Sequence, residues 1–199
     1  MSDWLVPPLD TKKIHSLAQN LRYILDVGNT YVPNMCGIIE HHLPNLVRGY
    51  DYAVVDEIRL EGVALAEAQT EFEPVRITFC RETYLRLVDG NPRARFTAAH
   101  EIGHLLLHEG LRTLHRMPEK SEAKFQSRSA EWQANEFAAA FLAPKHLLQE
   151  FNSPEEAAEL MKVSLRVTQI QMKQLGLWPK VRDISAWTAL RAEMELGKK

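Results

Sequence analysis

The 199-residue chain is 45 % hydrophobic and 25 % charged, the balance of a folded globular protein rather than a disordered or fibrous one. Its formal net charge of −2 leaves no overall basic field, so nucleic acid or a membrane surface would have to be met through a local patch. No apolar run approaches the ~20 residues of a membrane span, and the start, MSDWLVPPLDTKK, lacks the cationic-then-apolar pattern of an export signal. Cys36 and Cys80 lie far apart and form no CxxC pair. The expectation is a cytoplasmic protein with reduced structural thiols, in which histidine supplies any ligand chemistry.

In chain order, residues 10–26 predict an amphipathic helix, because Ile14, Leu17, Leu21, Ile24 and Leu25 recur at helical spacing behind Asp10 or Thr11 as cap. Pro33 opens a second short helix over NMCGIIEHHL, which Pro44 is expected to end. Three strands are expected at 52–58, 62–68 and 75–80, set off by Gly62 and the acidic turn EFEP. RETYLRLV reads as a helix, DGNP at 89–92 as a turn, and Phe96 to His108 as a helix again. The polar stretch GLRTLHRMPEKSEAKFQSRS has no periodicity and reads mostly as loop. An Ala-rich helix, AEWQANEFAAAFLA, stops at Pro144. Beyond HLLQEF, residues 154–177 predict two helices joined at KVS with Ser164 capping the second, and a final helix is expected over 183–196. These elements give an α+β domain over 1–150 and a helical C-terminal segment over 151–199.

The chemistry concentrates in RARFTAAHEIGHLLLH, residues 93–108, where three histidines and a glutamate sit in an apolar run. Burying such groups costs free energy unless something pairs with them. HEIGH fits the pattern H-E-x-x-H: on a helix, His100 and His104 fall on one face and can bind one metal ion. Glu101 is then placed to act as general base on a water at the metal. Gly103 costs ~1 kcal/mol inside a helix, which suggests that another element approaches it closely.

A catalytic zinc takes three protein ligands and keeps one position open. A third histidine six residues after His104 is excluded, because that position is Gly110. A glutamate from a later helix remains. In AEWQANEFAAAF the apolar stripe is Ala130, Ala134, Phe137, Ala138 and Phe141. Glu131 lies at its edge and is the expected inward ligand, whereas Glu136 points nearly opposite and is expected to face outward. Asn135 is placed to hydrogen-bond a ligating histidine. Three ligands from one straight helix cannot converge on one ion, so His108 reads as a packing or supporting residue. Glu109, His115 and Glu122 read as solvated loop residues.

RFTAAHEIGHLLLH, followed 27 residues after His104 by EWQANEFAAAFLAP, resembles the ImmA/IrrE family of bacterial and phage metallopeptidase-like proteins. The family's RFT-x-AHE-x-GH and E-x-x-A-N-x-FA helices are both matched, including Arg95, Phe96, Thr97, Ala134, Asn135, Phe137, Ala138 and Pro144. The resemblance is strong over about 75–144 and fainter over the first 60 residues. It implies a zincin-like fold, a small sheet packed on the active-site helix. His100, His104 and Glu131 would then hold Zn2+, with Mn2+ as the alternative, and Glu101 would be the catalytic glutamate. It also implies a regulatory zinc endopeptidase that cleaves or inactivates a helix-turn-helix transcriptional repressor. Tyr84, His108, His115 and Arg95 are the candidate donors to a developing oxyanion.

The C-terminal helices form a helix-turn-helix-like arrangement in which Arg166, Gln169 and Lys173 would reach DNA. The competing reading is packing, with Val163, Val167, Ile170 and Leu175 in the core. Residues 153–199 carry eight Lys or Arg against six Asp or Glu, a net of +2, which is thin for a DNA footprint and favours packing or partner docking. Two alternatives to the peptidase thus stand beside it. One is a DNA-binding regulator with a structural or sensory metal; the other is a partner-binding module without turnover. Glu101 argues for hydrolysis, since a purely structural metal site has no need of it.

Overall fold

Asp10 starts the first helix, α1 (Thr11–Ile24), by accepting the Lys13 amide on its carboxylate at 2.7 Å. The computed structural model describes residues 4–59, 66–110, 115–116 and 123–177, and the helix expected over 183–196 lies outside them. Along α1 the buried stripe is Ile14, Ala18, Leu21 and Arg22, while Leu17 and Ile24, part of the apolar periodicity above, face outward. A short strand, β1 (Trp4–Leu5), precedes α1.

The second helical region begins as α2 (Met35–Gly37), widens into a π-helical turn over Ile38–His42 and continues as α3 (Leu43–Leu46). Pro44 therefore does not end it. The wider turn reopens the hydrogen-bond ladder just before Pro44, so the proline occupies the first turn of α3, where a missing N–H is tolerated.

Three strands form one sheet in the order β2 (Asp51–Val55), β4 (Val75–Cys80), β3 (Ala68–Phe72). β2 runs parallel to β4, and β3 runs antiparallel to it with Thr70 opposite Ile77 and Phe72 opposite Val75. Residues 62–65 of the strand expected at 62–68 lie outside the described residues, and the turn expected over EFEP is corrected by this register. The hairpin with β4 closes on Glu73 and Pro74 alone, so the strand extends through Glu71 and Phe72. Ile77 and Phe79 on β4 are fully buried, and their opposite numbers Thr70 and Ala68 share that face.

Two helices follow the sheet: α4 (Arg81–Val88) and, after Gly90 at φ +73°, α5 (Pro92–His108). Asn91 caps α5 by accepting the Arg93 and Ala94 amides, and Pro92 opens it, so the helix starts one turn earlier than the apolar pattern predicts. The stretch read as loop contains β5 (His115–Arg116), paired with β1, and a 3-10 turn over Ala123–Arg128. Then come α6 (Ala130–Leu142), α7 (Lys145–Leu148), α8 (Pro154–Met161) and α9 (Leu165–Gln174), the last capped by Ser164 as expected. On α9 the buried positions are Thr168, Gln171 and Met172, while Ile170 is exposed. Met161, Val163 and Met172 join the same core as α1, α5 and α6. Among the described residues no helix is long and apolar enough to cross a membrane.

α6 is the centre of the molecule. It packs on α5 along one side and on α1 along another, and from Gln133 to Leu142 all its residues except Asn135 are buried. Arg22 of α1 secures its end. The guanidinium is fully buried and donates to the carbonyls of Phe141 (2.7 Å), Val27 (2.8 Å), Gly28 (3.1 Å) and Thr30 (2.6 Å). Burial, with the Arg95 charge adding to it, pulls its pKa down to about 10, so it stays cationic at neutral pH against the negative end of the α6 dipole.

α5 and α6 meet at Gly103. A Cβ there would lie 3.1 Å from Ala134 Cα, 3.2 Å from Ala134 O and 3.2 Å from Phe137 Cδ1. Two of these are backbone atoms, which yield only if the helices separate. Gly103→Ala should therefore lower stability by ~1–3 kcal/mol in urea unfolding, despite a helix-propensity gain of ~1 kcal/mol. A variant more stable than the parent would refute the close approach.

Candidate metal centre

α5 and α6 each carry part of one cluster. His100 and His104 project from α5 one turn apart. Glu131 sits in the first turn of α6, just after Ser129, whose hydroxyl accepts the Trp132 amide at 2.9 Å. That position sets a carboxylate at the positive end of a helix dipole. The Gly103–Ala134 approach then brings the two helix faces together.

His100 Nε2 and His104 Nε2 are 2.9 Å apart, and Glu131 lies 3.4 Å from the first through Oε2 and 3.5 Å from the second through Oε1. Tetrahedral ligands about 2.0–2.1 Å from an ion stand about 3.4 Å from one another, which the two Glu131 separations match, while the histidine pair is closer together. The three ligand atoms lie within 4.8 Å of one another, and each side chain is only partly buried, which leaves one side accessible. On the far side of His100, Nδ1 meets Asn135 Oδ1 at 3.1 Å, the partner the sequence suggested. Because an amide oxygen only accepts, that Nδ1 carries the proton and Nε2 presents a lone pair. A lone pair facing a second imidazole nitrogen and a carboxylate needs a proton or a metal ion between them. The donor set therefore fits a divalent ion.

The electrostatics agree. Burial alone would push the Glu131 carboxyl up, but the His100 and His104 rings outweigh it and hold the group far below the usual carboxylate range. Burial likewise opposes a charge on His100, yet Glu131, Glu101 and Asn135 together raise its pKa. His108 goes the other way: burial, with His104 beside it, pulls it down to about 4.

Glu101 is 4 % exposed and lies next to His100 on α5. Its Oε2 accepts the Thr70 hydroxyl of β3 at 2.6 Å. Sequence reasoning missed Thr70, because the strand was expected to end at 68 and left it in a loop. It also missed Gln133, whose side chain touches His108 at 3.1 Å.

The structure moves several other expectations. Glu136 does lie away from the cluster, but it is buried rather than outward, 3.5 Å from His15 and within 3.2 Å of Gln174 Nε2. The reason is that α6 is covered on both sides, so its second face meets α1 and α9 instead of water. His108 stands outside the three-donor set, as expected, and is buried against His104. Tyr84 hydrogen-bonds Glu40, and Arg95 donates to Pro33 O at 2.9 Å, so each is engaged by the α2 region rather than by the cluster. Glu122 lies outside the described residues, and so does the His115 side chain.

Purified protein should hold about one divalent ion per chain, and His100→Ala with His104→Ala should remove it. Glu131→Gln should weaken binding, while Glu136→Gln should leave metal content at the parent level. Elemental analysis of each variant checks this, and undiminished metal in the double histidine variant would exclude the site.

Residues 88–173 match the family model described as the IrrE N-terminal-like domain, Peptidase_M78. No curated protein matches the chain. The matched segment contains all of α5 and α6, and with them His100, Glu101, His104 and Glu131. This is the family that the HEIGH and EWQANEFAAAF helices resemble.

Proposed function

We propose that the protein is a zinc-dependent endopeptidase, with manganese as the alternative metal, which inactivates a helix-turn-helix transcriptional repressor by cutting it. His100, His104 and Glu131 hold the ion and Glu101 is the catalytic residue. The observation that carries this reading is the Glu101 carboxylate, buried beside the three donors and tied by one oxygen to Thr70. A metal site that only braced the fold would have no use for a second carboxylate there, and burying one is costly.

When bound, the ion supplies Lewis acidity, drawing the pKa of a water towards ~7 and polarising the scissile carbonyl. Thr70 donates to Glu101 Oε2 and so leaves Oε1 as the oxygen that takes a proton from the attacking water. The water oxygen bonds to the carbonyl carbon, the C–N bond breaks, and Glu101 returns the proton to the departing amine. The partly open side of the cluster is where an extended substrate segment enters. The peptidase family supports the reaction class, and the three-donor geometry supports the metal. The repressor substrate rests on the family resemblance.

Glu101→Gln keeps the side-chain volume and removes only the proton acceptor. It should retain fold and metal content while cleavage of the repressor slows by ~10²–10⁴. The assay should use a small helix-turn-helix repressor encoded beside this protein, with cleavage followed by mass spectrometry and derepression followed in cells. If the Glu101→Gln protein relieves repression fully, the protein acts by binding its partner and the proposed turnover is wrong.

A further inference from the structure

Two residues outside the three-donor cluster determine which nitrogen of His104 carries its proton. Gln133 on α6 is 1 % exposed, and its Nε2 donates to two backbone carbonyls, Pro7 O at 2.9 Å and Ser127 O at 2.7 Å. Both acceptors are carbonyl oxygens, so the amide cannot be turned over: the atom facing His108 is Oε1. That oxygen is 3.1 Å from His108 Nε2 and can only accept, which places the His108 proton on Nε2. His108 is itself 3 % exposed, and its two ring nitrogens face Gln133 and His104 rather than a carboxylate, so burial and the neighbouring His104 outweigh what Gln133 and the Glu131 charge offer a second proton. Its Nδ1 is then a lone pair, 3.0 Å from His104 Nδ1. It can accept only from a His104 protonated at Nδ1, and in its neutral form that ring turns an unprotonated Nε2 towards His100 and Glu131.

We propose that Gln133 and His108 are positioning residues that fix His104 as its Nδ1–H tautomer and so present the Nε2 lone pair to a divalent ion. The polarity of the relay is set at its far end, by the Pro7 and Ser127 carbonyls, and runs through Gln133 and His108 to His104. A hydrogen bond to the outer nitrogen of a ligating histidine orients the ring and raises its basicity, and losing one typically costs 10–100-fold in metal affinity. The proposal rests on the reading of His104 as a metal ligand.

Two measurements test it. In 15N-labelled, metal-free protein above the histidine titration range, long-range proton–nitrogen correlations should show His104 protonated at Nδ1 and His108 at Nε2. Zinc affinity, measured by competition with a chelator, should fall ~10–100-fold in His108→Leu, which is apolar and close in size. His108→Asn, whose side-chain oxygen takes the place of Nδ1 as acceptor, should restore most of that loss. A merely structural role would follow the thermal stability of the metal-free variants instead of the presence of an acceptor. A His104 proton on Nε2 in the parent protein, or zinc bound as tightly by His108→Leu as by the parent, would overturn the relay. Should the parent itself bind no zinc, the ligand reading fails, and the tautomer measurement still decides the relay on its own.

Discussion

Everything at the cluster depends on how closely two helices approach. Gly103 on α5 lies against the backbone of α6 at Ala134, with no room for a side chain between them. His104 follows Gly103 directly, and Glu131 precedes Ala134 by one turn, so this contact sets the distance between the histidines and the carboxylate. A wider crossing would leave three polar groups in an apolar setting without a common ion. A glycine that weakens α5 as an isolated helix is thus the residue that assembles the donor set across two helices.

The central position of α6 has a second consequence. A helix covered on both sides must find partners for every polar group it carries, and this one carries several. Glu131 and Asn135 meet the histidines, Gln133 meets His108 and two backbone carbonyls, and Glu136 meets His15 and Gln174. Its end carbonyl at Phe141 is taken by the buried Arg22. Alanines elsewhere along the helix let its neighbours come close enough for these contacts to form. The same residues that fill the core therefore orient the site.

The sheet contributes through one strand. β3 is an edge of the three-stranded sheet, and its antiparallel register with β4 puts Thr70 on the face that α5 covers. Shifting that register by one residue would turn Thr70 away and present Gln69 or Glu71 to Glu101 instead. A carboxylate beside Glu101 would repel it, so the register of a short hairpin governs the environment of the group proposed to move protons.

Much of this was legible in the chain itself. HEIGH pointed to two candidate donors and a candidate base, because a helical period of 3.6 residues puts positions four apart on one face. The same periodicity selected Glu131 over Glu136 and Asn135 as the partner of His100. The caps at Asp10 and Ser164 behaved as local chemistry dictates, whereas Pro44 did not break its helix. What local pattern could not decide was which surfaces become covered. Glu136 looked exposed and is buried, and Ile170 looked buried and is exposed, because both outcomes depend on which helix arrives from elsewhere in the chain. Thr70 depended on a strand register, and Gln133 on carbonyls at Pro7 and Ser127, contacts that close only when distant segments fold together. Sequence fixes the period and the ends of an element through interactions within a few residues, whereas only tertiary packing decides what lies across from each face.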